Sequence, residues 1–277
     1  MSEEKLKSRQ TIYGAQVLVT GPSTWRWISA VGALLPVPLK RWIRQELLRF
    51  SFRPPIGWVR FGTLRRVAPI SPIFGLERGQ PIDRYYIEKF LEKQSGDIRA
   101  HVLEIGNSSY TRKFGGNKVT CSNVLHAVSG NPEATLVGDL VTGQGIPREA
   151  FDCMILTQTF PFIYDVRAAI ATVFAALKPG GVLLATVPGI SQISRYDMER
   201  WGDYWRFTTA STYKLFSEFW PSDGITIAAY GNVLVATAYL YGLASVELEP
   251  QELEFHDPNY EVLITIRAMK PCNEKWT

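Results

Sequence analysis

Cysteine is scarce here: three residues in 277, at positions 121, 153 and 272. They are odd in number, far apart and form no C-x-x-C pair. That argues against a disulfide framework or a zinc site, and for a reducing compartment. Histidine is as rare, at 101, 126 and 256, and no spacing of His, Asp and Glu suggests a metal site. The most apolar early stretch, "WISAVGALLPVPL", is too short and too broken by proline to span a bilayer. The opening "MSEEKLKSRQ" is polar and lacks a signal-peptide core, so a cytoplasmic location without integral membrane contact is expected. No internal repeat and no low-complexity tract occurs. Neither a Walker loop nor a G-x-G-x-x-G turn is present, which removes the usual grounds for a nucleotide-triphosphate or dinucleotide site.

What is there is ordinary in bulk. Hydrophobic residues make up 46% and charged ones 20%, with a formal charge of +4, values of a soluble globular chain that do not imply a nucleic-acid partner. The basic residues are uneven. From Lys40 to Arg66 the chain carries Lys40, Arg41, Arg44, Arg49, Arg53, Arg60, Arg65 and Arg66 against Glu46 alone, with aromatics between them. An anionic partner and an amphipathic cap with snorkelling arginines both account for this. "LKRWIRQELLRF" (39–50) has helical apolar spacing. Prolines at 54, 55, 69, 72 and 81 then interrupt the chain. Residues 1–80 are therefore read as an N-terminal helical lid and 81–277 as the main domain.

From residue 82 a strand–helix rhythm sets in. "IDRYYIEKFLEKQ" predicts a helix, as does "VRAAIATVFAAL" (166–177), closed by a "KPGG" turn. "HVLEIG", "KVTCSN" (118–123), "ATLVGDL" (134–140), "FDCMILTQ" (151–158) and "VLLATVP" (182–188) predict five strands. Two more are expected at 225–231 and 261–270. Continuous apolar strands separated by helices predict a Rossmann-like α/β fold, a mostly parallel seven-stranded sheet covered on both faces. "GNVLVATAYLYGLASVEL" (231–248) reads as core or homodimer contact rather than membrane.

In such a sheet ligands sit beyond the carboxyl ends of the strands. "HVLEIGNSSYTRKFGG" leaves a buried strand at Glu104-Ile105-Gly106 and turns small, which lets a ligand approach the backbone. Gly138-Asp139-Leu140 puts a carboxylate at the same edge, and the fourth strand ends in Thr157-Gln158-Thr159. This run of acid–glycine turn, strand-end Gly-Asp and "FDCMIL…LKPGGVLL" resembles the class I S-adenosylmethionine-dependent methyltransferases over roughly 82–270. "RGQPIDRYYIEKFL…VLEIG" with "DYWRFTTAS" further resembles methyltransferase-like proteins of natural-product or cell-surface glycan pathways.

The resemblance implies S-adenosylmethionine as cofactor and a small-molecule acceptor, methylated on an oxygen of a sugar, polyketide or related metabolite. It implies Glu104, Gly106, Asn107 and Ser108 along the methionine part, Asn123 facing the ribose, and Gly138, Asp139 and Leu140 facing the adenine. Thr157 and Gln158 would line the cofactor, with Arg78 and Tyr86 covering its amino-acid end. The segment 189–208 would form the acceptor pocket through Tyr196, Trp201, Tyr204, Trp205 and Arg206, whose aromatic faces suit a sulfonium cation. Asp203 and His126 are the candidate bases. Two features depart from the family: the turn keeps only its first glycine, and the acid that ends the second strand is absent. They motivate an alternative, a protein of this fold that binds the cofactor but acts as a cyclase or isomerase, or only binds.

Overall fold

The computed structural model describes residues 54–272. The expected helix over 39–50, and residues 1–53 of the expected lid, lie outside them. The chain divides into two units, Met1–Gly62 and Thr63–Thr277. In the first, residues 54–62 are exposed. The second holds a single sheet of seven strands: β1 (Ala100–Ile105), β2 (Val119–His126), β3 (Leu136–Val137), β4 (Phe151–Thr157), β5 (Leu177–Pro188), β6 (Ile225–Tyr230) and β7 (Leu263–Met269).

Its spatial order is β3-β2-β1-β4-β5-β7-β6. The first five strands pair in parallel, and β7 inserts antiparallel between β5 and β6. The order reverses between β1 and β4, so a crevice opens at their carboxyl ends. The expected fold class holds: a Rossmann-like, mostly parallel α/β sheet.

Each buried strand splits its apolar run between two faces with a period of two. On one face Leu103, Met154, Leu183 and Ala185 pack with α2 (Val166–Ala176) and with Phe216 of α4 (Thr209–Phe216). On the other, Val102, Cys153, Ile155, Val182 and Leu184 pack with α1 (Ile82–Lys93) and α5 (Val233–Leu240). This is why the strands read as continuous hydrophobic stretches. Side chains start the helices where the sequence breaks. Asp165 accepts from the Ala168 N–H at the head of α2, and Thr208 and Ser211 form a reciprocal capping box on α4. Two short helices complete the set, α3 (Arg195–Met198) and α6 (Pro250–Glu254).

Three boundaries differ from expectation, each for a local reason. β2 runs on to His126, because Val124 and Leu125 bury beside Glu104 and Ile105 of β1. β3 shrinks to two residues, since Asp139 folds back to bond its N–H to Gln144 O. The "KPGG" turn lies inside β5 as a bulge against Phe151. Residues 70–81 belong to the unit that holds the sheet: the Ile70 and Ser71 N–H groups donate to Tyr241 O, and Pro81 bridges to Ala244. Among the described residues no helix is long and apolar enough to cross a membrane.

Candidate functional site

A cavity of about 440 Å³ lies at the carboxyl ends of the parallel strands, inside the usual range for small-molecule sites. Its floor is Ile105 and Gly106 at the end of β1, Leu125 and His126 at the end of β2, Gly138 to Val141 after β3, and Thr157 to Thr159 at the end of β4. One wall comes from the loop after β4, through Phe162, Ile163 and Tyr164. The other comes from the segment after β5, through Asp197, Trp201 and Tyr204.

The turn after β1 depends on its glycine. Gly106 has φ +83°, a conformation other residues adopt at a cost, and a Cβ placed there would meet nothing within 4 Å. Gly106 also lines the cavity, so the backbone there has open space beside it. The turn is held from behind. Asn131 donates to Gly106 O at 2.6 Å, and Asn107 Oδ1 accepts from Ser109 N–H at 2.9 Å. Glu104, 3% exposed, accepts from Tyr110 N–H, Thr111 N–H and the Thr111 hydroxyl at 2.7–3.1 Å. Burial pushes its carboxyl above the usual value despite those bonds. The carboxylate thus braces the segment that follows the turn.

Gly138 is required for a different reason. A Cβ there would stand 2.7 Å from Gln144 O, and the close approach sets Asp139 on the rim. Asp139 Oδ1 accepts from Val141 N–H at 2.8 Å and Oδ2 from the Thr142 hydroxyl at 3.1 Å. A carboxylate has about four lone-pair sites, so both oxygens can accept again. Gln158 has φ +50° and is fixed by its N–H donating to Thr186 O at 2.9 Å. A non-glycine residue held in that region at a cavity is a common mark of a working site.

His126 Nδ1 lies 2.8 Å from Val128 O. A carbonyl only accepts, so Nδ1 carries a proton, and in the neutral ring the lone pair is then on Nε2. A longer contact from Val128 N–H, 3.4 Å, would need the other tautomer and is the weaker of the two. The imidazole meets Trp201 edge-on at 5.7 Å, and Tyr204 meets Tyr164 edge-on at 5.4 Å.

The cavity brings together Gly106, His126, Gly138, Asp139, Leu140, Thr157, Gln158, Trp201 and Tyr204 from the expected site residues. The others are placed elsewhere. Asn107 is exposed, and Ser108 faces Arg112 rather than the cavity. Asn123 sits three residues short of the end of β2, with Nδ2 3.2 Å from His101 Nε2; the strand end belongs to His126. Tyr86 is a core residue that stacks on Tyr230 and donates to Leu253 O at 2.8 Å. Arg78 pairs with Glu247. Tyr196 is exposed and carries the Arg200 guanidinium over its ring at 3.5 Å. Trp205 donates to Ile163 O and Tyr164 O, which ties the two walls together.

Asp203 and Arg206 neutralise each other. The guanidinium grips both carboxylate oxygens and also reaches Gln192 O at 2.7 Å. Asp203 further accepts from Ser194 N–H at 2.9 Å. Burial pushes the Asp203 carboxyl up, but these bonds and the Arg206 charge outweigh it and hold it below its ordinary value. A carboxylate so engaged makes a poor base and a good brace for the loop.

Sequence reasoning missed Leu125, Ala127, Val141 and the "FPFIY" wall. The signal for the wall was its position: an aromatic stretch directly after a buried strand.

Comparison with protein-family models and with curated proteins finds no match for this chain. Solved structures of similar fold exist. The N-methyltransferase NodS from Bradyrhizobium japonicum, in complex with S-adenosyl-L-homocysteine, is 16% identical over 73% of this chain and 93% of its own, with a TM-score of 0.43. A SAM-dependent methyltransferase from Archaeoglobus fulgidus is 11% identical over 68% and 94%, at 0.46. An S-adenosylmethionine-dependent methyltransferase from Mesorhizobium loti is 14% identical over 70% and 99%, at 0.44. At these identities and scores the likeness assigns no substrate and no activity to this chain.

Proposed function

We propose that this chain binds S-adenosylmethionine in the cavity at the ends of β1 to β4 and transfers its methyl group to a small-molecule acceptor. The observation that carries the reading is the open turn at Gly106 facing Asp139 and Leu140 across that cavity. The residues present suit the cofactor. The empty Cβ position at Gly106 leaves room for a ligand against the backbone. Ile105, Leu125 and Leu140 offer apolar surface to a purine, and Asp139 offers unused lone pairs to an amino group.

Bound S-adenosylmethionine supplies an electrophilic methyl group. The chain's own part is positioning. The Gly106 turn, braced by Glu104 and Asn131, fixes one end of the ligand. Trp201 and Tyr204 supply aromatic surface on the wall beyond β5. Holding the reacting groups in line supplies on the order of 7–11 kcal/mol in good cases. His126, with a lone pair on Nε2, accepts a proton from the acceptor, a contribution of roughly 10²–10⁴-fold. Asp203, clamped by Arg206, positions the loop that carries Trp201 and Tyr204.

Incubation of pure protein with methyl-labelled cofactor and a panel of phenol, sugar and amine acceptors tests this. Label in an acceptor, reduced at least tenfold in His126→Ala, is the expected result. Tight cofactor binding with no label in any acceptor would favour the alternative, a non-methylating protein of this fold.

A further inference from the structure

The described lining of the cavity contains no lysine and no arginine. Its charged residues are two carboxylates, Asp139 and Asp197. Asp139 already accepts a bond on each oxygen. Asp197 is different. Its Oδ2 accepts from the Ser194 hydroxyl, and no described residue donates to its Oδ1. The same lining carries the rings of Phe162, Tyr164, Trp201 and Tyr204. Of the cations near it in sequence, Arg200 lies on the Tyr196 ring and bonds Tyr196 O, Arg206 is held by Asp203, and Arg195 is exposed and stands outside the lining.

A half-open carboxylate that shares a cavity with aromatic rings attracts a cation. Each ring face adds to that attraction, more so the drier the site. An anionic group placed beside Asp197 would meet its negative charge and find no lysine or arginine on the lining. We propose that Asp197, Trp201, Tyr204 and Tyr164 form an ammonium subsite, and that the acceptor is an amine rather than an alcohol or phenol. This rests on the reading of the cavity as a methyl-transfer site and narrows its substrate class.

The step balances. An ammonium held there gives up a proton to His126 Nε2 or to water. The freed nitrogen lone pair forms the N–CH3 bond while the S–CH3 bond breaks, leaving its electron pair on sulfur. The positive charge passes from sulfur to the methylated nitrogen, which stays among the same rings.

The test uses choline and its uncharged carbon isostere, 3,3-dimethylbutan-1-ol, as probes. Each is titrated into the full-length protein with and without saturating S-adenosylhomocysteine, and binding is read by ligand-observed NMR. Choline is expected to bind about tenfold tighter than the isostere. That ratio should fall to within twofold in Asp197→Asn, whose amide oxygen can still accept from Ser194. S-adenosylhomocysteine affinity should change less than twofold in the variant. Equal affinity for the two probes, or a ratio unchanged in Asp197→Asn, would overturn the proposal. Choline preference without any S-adenosylhomocysteine binding would overturn the cofactor reading and leave the subsite. S-adenosylhomocysteine binding without choline preference would overturn the subsite alone.

Discussion

Gly106 and Asp203 show how differently single residues serve this site. Gly106 is chosen for its backbone, since φ +83° strains any side chain while the space beside it is free. Gly106→Ala should therefore cost about 1–2 kcal/mol of stability from backbone strain. It should also weaken nucleoside binding at least tenfold, because the new methyl enters the ligand's space. Urea unfolding and calorimetry separate the two effects. Asp203 is chosen for its charge. Its side chain is 2% exposed and paired with Arg206, so Asp203→Asn should cost about 1.5–3 kcal/mol. Because its folded pKa is depressed, this stabilisation is fully present at neutral pH and is lost as pH falls through the depressed value. Wild type and variant should converge in stability only in acid, below the ordinary carboxylate range. The pairing was hard to foresee: Asp203 and Arg206 sit in an irregular segment, where three-residue spacing does not bring side chains together as it does on a helix. Read alone, a carboxylate beside an aromatic cluster looks like a base.

The strands at the centre of the sheet were plain in the sequence, and the physical reason is burial on both faces. "HVLEI", "FDCMILT" and "VLLATVP" could only be continuous apolar runs, since each sends alternate side chains into two cores. β2 was harder. Residues Thr120 to Ser122 are exposed, so its polar middle hid a strand that buries only at Val124 and Leu125. That error moved the strand end from His126 back to Asn123 and took the expected ribose contact with it. The head of α2 was legible one residue after Asp165, whereas α4, capped by Thr208, was not read from the sequence. Asn232 does more than cap. It accepts from Val235 N–H at the head of α5 and donates to Glu252 O and Phe255 O, tying α5 to α6. Asn232→Ala should cost about 2–3 kcal/mol by removing a cap and leaving carbonyls unpaired. A lowered urea midpoint with an unchanged m-value is the expected record.

At the scale of the molecule, the strand order and the reversal between β1 and β4 determine where a ligand can sit, and the loops after β4 and β5 determine what it can be. The first was readable from the rhythm of strands and helices. The second was not, since Tyr164, Asp197, Trp201 and Tyr204 converge only once the chain is folded. A ligand held by both parts binds the folded state alone and must stabilise it. S-adenosylhomocysteine at about a hundred times its dissociation constant should add about 2.7 kcal/mol. For a chain of this size that is a rise in melting temperature of roughly 5–10 °C, visible by scanning calorimetry. The gain should shrink in Gly106→Ala at the same ligand concentration.

The most direct measurement is an isothermal titration of the pure, folded protein with S-adenosylhomocysteine, followed by displacement with S-adenosylmethionine. Saturable heat at one ligand per chain, competed by the second compound, is the predicted outcome. No heat from either, in a sample whose circular dichroism and cooperative melting show it folded, would contradict the assignment of the strand-end cavity as a nucleoside site.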